Sequence, residues 1–258
     1  MTEPLYTSAI TRGLKTTFIG RKVIYYPALP STMDAARQAA RSGTPSGTVF
    51  IAGEQTAGKG RLKRNWLSPP GNIALSIVLY PDVSVLPYLV MIASLAAVHA
   101  IEKIAGLETW IKWPNDILIE GKKIGGILIE NEMKGNKVAF SIVGIGINVD
   151  LNIAVYPEIA ATAASLYAAL DDSLRIKIIR LLLVEFERLY IKLPDGKDIF
   201  KAWRVKLVTL GKKVRATSAK EIIEGIAVSV DETGALWIRL TDGSLSKVVA
   251  GDVTLRWD

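Results

Sequence analysis

The sequence predicts an α+β fold, with a mixed β-sheet domain over residues 1–209 and a small β-barrel over residues 210–258. Three observations carry this. Strand-like and helix-like apolar runs alternate without a fixed period through the first part of the chain. Near Leu210 the texture changes to short β-type runs separated by turn residues. Apolar residues make up 50% of the 258, enough for one sizeable core and a smaller second unit.

Residues 21–26 (RKVIYY) have the β-branched and aromatic composition of a strand. Ser31 with Asp34 three residues on is a helix-start pattern, placing a helix over 35–41. Residues 48–52 and 73–80 read as buried strands, so the glycine-rich basic stretch between them is a loop joining two strands. Residues 85–104 form an apolar helix. Pro87, Ser94 and His99 interrupt it, leaving it short of the roughly 18 to 20 uninterrupted apolar residues of a bilayer span, so a buried helix is expected and no membrane association. A short strand at 110–113, strands at 117–120 and 124–130 around Gly121-Lys122, and a strand at 138–149 follow. Residues 174–193 make a long amphipathic helix and 198–205 a shorter one. The barrel strands are placed at 213–216, 221–230, 236–240 and 245–255, with turns at Asp231-Glu232-Thr233-Gly234 and Thr241-Asp242-Gly243.

Composition narrows the chemistry. The chain has no cysteine, which excludes disulfides, thiol catalysis and cysteine-ligated metal. The one histidine, His99, lies in an apolar helix and is given a structural role, so neither a zinc site nor a histidine-based triad is expected. The opening MTEPLY lacks the basic and apolar regions of a signal peptide, and a cytoplasmic location is the expectation. A net charge of +7 favours anionic partners.

The stretch GEQTAGKGRLKRNW, from Gly53 to Trp66, almost spells a phosphate-binding P-loop. Gly60 stands where that motif needs Ser or Thr, and the segment runs into Ser68-Pro69-Pro70-Gly71, which breaks a helix. What remains is a hinge of Gly58 and Gly60 carrying Lys59, Arg61, Lys63 and Arg64, with Trp66 at its end. Arginine forks onto phosphate or carboxylate oxygens, and an indole offers a face to a flat ring. The ordinary alternative is a solvated basic loop.

Four further segments stand out: Ser31-Thr32-Met33-Asp34, Lys112-Trp113-Pro114-Asn115-Asp116, Lys123-Ile124-Gly125-Gly126-Ile127-Leu128 and Gly144-Ile145-Gly146-Ile147-Asn148. Each has an ordinary reading: a helix cap, a turn, a solvated turn lysine and a bulged strand. The last lacks the third glycine of a dinucleotide-binding fingerprint, since Val149 follows Asn148. In this order and spacing, with the basic loop, the five segments resemble the catalytic domain of the biotin protein ligases, whose motifs run G-R-G-R-x-x-R-x-W, K-W-P-N-D, K-x-x-G-I-L and G-x-G-x-N. The chain departs from them at Lys59, where the family usually has Arg, and Met33 takes a place where the family can carry Asn.

The resemblance implies a mixed sheet of the class II aminoacyl-tRNA synthetase and biotin ligase type with an SH3-like barrel after it. It also implies ATP-dependent biotinylation: biotin, ATP and Mg²⁺ give biotinyl-5′-AMP, and the biotinyl group passes to a lysine of a biotin carboxyl carrier protein or domain. Lys123 is the leading catalytic residue, because a positioned ammonium lowers the repulsion between a carboxylate and an α-phosphate. Asp116 would orient or deprotonate the incoming amine and Arg61 would hold phosphate. Biotin would be bound by Ser31, Thr32, Met33, Gln55, Gly58, Lys59, Gly60, Arg61, Lys123, Gly125 and Gly126. ATP would be bound by Arg61, Arg64, Trp66, Lys112, Asn115, Lys123 and Asn148. No protein metal ligands are assigned. A homodimer is implied, and two neighbouring functions are the alternatives: lipoate ligation on the same fold, and a biotin-sensing transcriptional regulator. The residues before position 21 are too few for a winged helix-turn-helix, so no specific DNA binding is expected.

Overall fold

The computed structural model describes residues 6–166, 172–193, 196–217, 221–249 and 251–256. Seven strands form the main sheet: β1 (Val23–Leu29), β2 (Val49–Gln55), β3 (Ile73–Leu79), β4 (Trp110–Lys112), β5 (Asp116–Ile119), β6 (Lys122–Lys134) and β7 (Lys137–Ile147). Their order is β1-β2-β3-β7-β6-β5-β4. β1 and β2 run parallel because helix α2 (Thr32–Arg41) crosses between them, and every other neighbouring pair is antiparallel.

Side chains alternate across the sheet, and the two faces differ in size. Ile73, Leu75, Ile77 and Leu79 of β3 and Val143, Ile145 and Ile147 of β7 face the main core with helix α3 (Leu86–Ala105). On the other face Phe50, Val78, Phe140 and Ile142 pack against Met33, Ala36 and Ala40 of α2. Further along that second face the residues shrink to Ala74 and Ser76 on β3 and Gly144 and Gly146 on β7. That bare strip becomes the floor of a cavity.

Helix α3 is apolar on most of its circumference, and Gly106 ends it in the left-handed conformation with φ 69°. Contrary to the expectation that Pro87, Ser94 and His99 leave it too short, Val83–Ala105 is long and apolar enough to cross a bilayer; what marks it as a core helix is that most of it is buried. Helix α4 (Asp172–Tyr190) packs beside α3, and α5 (Lys197–Val205) completes that layer. The five-residue α1 (Thr7–Thr11) packs on α4. It carries no periodic signal long enough to be seen in the sequence.

Strands β8 (Lys213–Thr217), β9 (Ile222–Val230), β10 (Leu236–Arg239), β11 (Leu245–Val248) and β12 (Asp252–Arg256) form a second, antiparallel sheet in the order β11-β10-β9-β8-β12. The apolar run expected as one strand over 245–255 is therefore two, lying at opposite edges of this sheet. Hydrophobic pattern alone does not mark where a chain leaves one edge for the other. Trp113 joins the two sheets: its amide donates to Thr209 Oγ1 at 2.8 Å and its indole to the Gly234 carbonyl at 2.8 Å.

The segment after α1 is held by one carboxylate. Glu187 of α4 is buried and accepts the amides of Thr17 at 2.6 Å and of Phe18 and Ile19 at 2.8 Å. Burial works to raise its pKa, but those donors prevail and hold it below the usual carboxylate range. Its contribution to stability is therefore present above the unfolded value, about 4.3, and is lost as pH falls through the lower folded value. Glu187→Gln should cost about 1 to 3 kcal/mol at neutral pH, read as a lower Tm. The gap between wild type and variant should narrow in melts taken towards pH 3, and a gap that stays constant with pH contradicts the assignment.

Candidate active site

The bare strip of sheet is enclosed by α2 on one side and by the basic loop above. Thr32, Met33, Gln55, Ala74, Gly126, Leu128, Gly144 and Gly146 line the cavity, and Lys59, Gly60, Arg61, Arg64 and Trp66 roof it. The glycines let neighbouring side chains lie directly on the backbone. A Cβ on Gly144 would lie 2.5 Å from Met33 Sδ, and one on Gly146 would lie 2.5 Å from Trp66 Cε2. Thr32 donates its amide at 2.8 Å and its hydroxyl at 3.0 Å to Gln55 Oε1, and Ser76 donates to Thr32 Oγ1 at 2.8 Å. Ser31 occupies the N-cap position of α2 without making a side-chain cap bond. Its buried Oγ has no hydrogen-bond partner, nor has the buried Nε1 of Trp66. Each such group costs about 1 to 3 kcal/mol until something pairs with it.

The charged end of the cavity is built on β4, β5 and β6. Asp116 begins β5 and is gripped from two sides, by Lys123 Nζ at 2.6 Å and Lys112 Nζ at 3.1 Å. Burial pushes its pKa up, but the two ammonium groups outweigh that and hold it below the usual carboxylate range. Lys123 sits beside a register irregularity between β5 and β6, and its backbone is pinned by the Thr162 carbonyl and the Ala164 amide, both at 2.8 Å. Its Nζ lies 5.4 Å from the centre of the Trp66 ring. Asn115 donates to the Ile127 carbonyl at 2.6 Å and accepts from Arg61 Nη1 at 3.1 Å, tying the loop to β6.

A second cavity lies against the first. Lys112, Asn148, Thr162, Ala163 and the β12 residues Val253 and Leu255 line it, and it shares Arg64, Asn65, Trp66, Asp116 and Lys123 with its neighbour. Asn148 donates to the Ala164 carbonyl at 3.1 Å. Two chambers thus meet at one lysine, one carboxylate, one guanidinium, one side-chain amide and one indole. The loop is itself a small hairpin, with Trp66 N bonded to Gly58 O at 2.9 Å and Gly60 N to Arg64 O at 2.8 Å. Leu62 and Lys63 take the positive φ values of 53° and 60° that its tip demands.

Of the residues expected to bind biotin, Thr32, Met33, Gln55, Lys59, Gly60, Arg61, Lys123 and Gly126 line the first cavity. Ser31 and Gly58 are not among those lining residues: Ser31 is buried just before Thr32, and Gly58 packs against the Trp66 carbonyl. Gly125 points the other way, towards Ile117 and the Gly146 carbonyl. Of the ATP set, Arg64, Trp66, Lys112, Lys123 and Asn148 line the second cavity, while Arg61 and Asn115 line the first. Gly144 to Ile147 pair in register with both neighbours, so the bulged reading of that strand does not hold. Ala74 was missed, although its smallness within the apolar run of β3 was a visible signal, and so was the buried Ser76, which supports Thr32 from behind. The β12 wall and Thr162-Ala163 had no local signal, because only the fold brings them there.

The profile of the Biotin/lipoate A/B protein ligase family matches residues 25–148, and that of the biotin protein ligase C-terminal domain matches residues 209–256. The bifunctional ligase/repressor BirA of Bacillus subtilis is 37% identical over 97% of this chain and 79% of its own. The biotin–[acetyl-CoA-carboxylase] ligase of Paracoccus denitrificans is 31% identical over 75% of this chain and 85% of its own. The chain belongs to the biotin protein ligase family. A solved biotin protein ligase from Aquifex aeolicus, in complex with biotin and ATP, superposes with a TM-score of 0.74 at 27% identity, covering 92% of this chain and 100% of that one. The α+β architecture with a C-terminal β domain is thus that of the family.

If the glycine floor is what admits the ligand, Gly146→Ala should push the indole into the cavity. The expected result is a KM for the acid raised about tenfold or more, with Tm changed by only a few degrees. Wild-type kinetics in that variant contradict the placement of Trp66.

Proposed function

We propose that this chain activates biotin with ATP and transfers it to a lysine of a carrier protein, with the acid in the glycine-floored cavity and the nucleotide in the chamber beside it. The observation that carries this reading is the junction of the two cavities at Lys123, Asp116, Arg64 and Trp66. In the first step a carboxylate oxygen of biotin attacks the α-phosphorus of ATP, the bond to the β-phosphate breaks, and pyrophosphate leaves. Two anions must meet, so the ammonium of Lys123, poised between the chambers, offsets their repulsion and the charge that develops. Arg61 and Arg64 grip phosphate oxygens, and Trp66 borders the adenylate. In the second step the neutral amine of the acceptor lysine attacks the acyl carbon, the bond to AMP breaks, and the amine proton passes to solvent.

Asp116 has the better-defined part in that second step. A carboxylate whose pKa is held low by two lysines is a weak base, so it orients the amine and favours positive charge on it rather than removing its proton. Magnesium enters as MgATP, a substrate. Among the described residues no cluster of three acidic or histidine side chains is present, and Asp116 already faces two cations, so the donor set does not fit a resident metal site. The acceptor is the carrier domain of a biotin-dependent carboxylase, as the relatives named biotin–[acetyl-CoA-carboxylase] ligase suggest.

Single-turnover reactions, quenched and analysed by mass spectrometry, separate the two steps. Lys123→Ala should slow formation of biotinyl-5′-AMP by about 10²-fold or more. Asp116→Asn should slow biotin transfer by about 10²-fold while affecting adenylate formation less. Because Asp116 stays ionised well below neutrality, transfer should rise with pH only as the acceptor amine deprotonates. A Lys123→Ala enzyme with wild-type adenylation removes the reading.

A further inference from the structure

Asp34, Arg37 and Glu130, which have no assigned role, tie the basic hairpin to the rest of the site through the cavity-lining Lys59. Asp34 stands in the first turn of α2, two residues beyond Thr32. Its Oδ1 accepts from Lys59 Nζ of the hairpin and, at 2.6 Å, from Arg37 Nη1 of its own helix. Arg37 in turn pairs through Nη2 with Glu130 of β6. Charge therefore alternates from hairpin to helix to sheet. Burial opposes ionisation of Asp34, but Lys59 and Arg37 hold its carboxyl below the usual range.

The position of this group gives it a consequence. Thr32, Met33 and Asp34 share one helical turn, and the first two line the cavity that takes the acid. Gln55, which accepts two hydrogen bonds from Thr32, is the last residue of β2 before the hairpin. A ligand that fixes Thr32 also fixes Asp34, and Asp34 holds Lys59, which pairs with Asn65 across the hairpin that carries Arg61 and Arg64. We propose that Asp34 is a positioning residue of the activation step. Through Lys59 it couples occupancy of the acid cavity to closure of the hairpin, so that the two arginines stand over the junction when nucleotide is present. This rests on the function proposed above. It also gives Lys59 a partner that explains a lysine at this place: a compact ammonium suffices for a single carboxylate oxygen, where a forked guanidinium is matched to two.

A purely structural ion pair makes a different prediction. Both side chains are about two-fifths exposed, at 40% and 44%, and such pairs contribute little to global stability. The coupling must therefore appear in the hairpin and in KM, not in Tm. The full chain is compared as wild type, Asp34→Asn, Lys59→Met and the double variant, by hydrogen–deuterium exchange across residues 58–66 with and without biotin and by steady-state adenylation. Each single substitution should speed exchange of the hairpin and raise KM for biotin about two- to fivefold with kcat little changed, and the double variant should be no worse than the worse single. Effects that multiply in the double variant, or singles that leave exchange and KM at wild-type values, overturn the proposal. The exchange of the free protein reports the pair without reference to activity. Failure of biotin to slow wild-type exchange therefore counts against the function, while an uncoupled cycle in the free protein counts against Asp34 alone.

Discussion

One face of the central sheet stays nearly bare where β3 and β7 run beneath the basic hairpin, and most of the site follows from that constraint. Gly144 and Gly146, with Ala74 beside them, let Met33 and the Trp66 indole lie directly on backbone. A single methyl at either glycine would meet them at 2.5 Å. The opposite faces of the same strands carry isoleucine, leucine and valine into the main core, so the strip is held flat and rigid by packing it does not itself provide. A cavity made this way costs no core volume and leaves backbone as its floor.

Electrostatics then divide the work between the two chambers. Lys112 and Lys123 close on Asp116 from opposite sides, a pairing that keeps three charges together in a partly enclosed space. In the proposed reaction an arriving phosphate would compete with Asp116 for those ammonium groups, and the carboxylate would then meet the incoming amine once pyrophosphate has left. The same cluster therefore suits an anionic partner first and a cationic one second. The indole between the chambers, with an unpaired Nε1 and a lysine over its ring, is placed to sense both.

Much of this was legible in the residues. The strands on either side of the hairpin, the crossing helix, the buried apolar helix and the change of texture near Leu210 follow from period and turn chemistry, which are local. The segments around Lys112, Lys123 and Asn148 are marked by their joint resemblance to the biotin protein ligase motifs, since each alone reads as a turn, a solvated lysine or a strand. What stayed hidden depends on distance in the chain. Val253 and Leu255 reach the second cavity only because β12 pairs with β8 at the sheet edge, and Thr162 pins Lys123 from a stretch with no pattern of its own. Ser31 illustrates the limit in the other direction. Its position fits a helix cap, but its hydroxyl makes no cap bond, and only coordinates reveal that it is left without a partner.

The most direct measurement is ATP–pyrophosphate exchange by the purified chain with Mg²⁺, run with biotin, with lipoate and with neither acid. The account predicts exchange that depends on biotin and stays at background with lipoate. Exchange supported by lipoate and not by biotin would contradict it, leaving the junction at Lys123 as an adenylate site but the glycine-floored cavity fitted to a different acid.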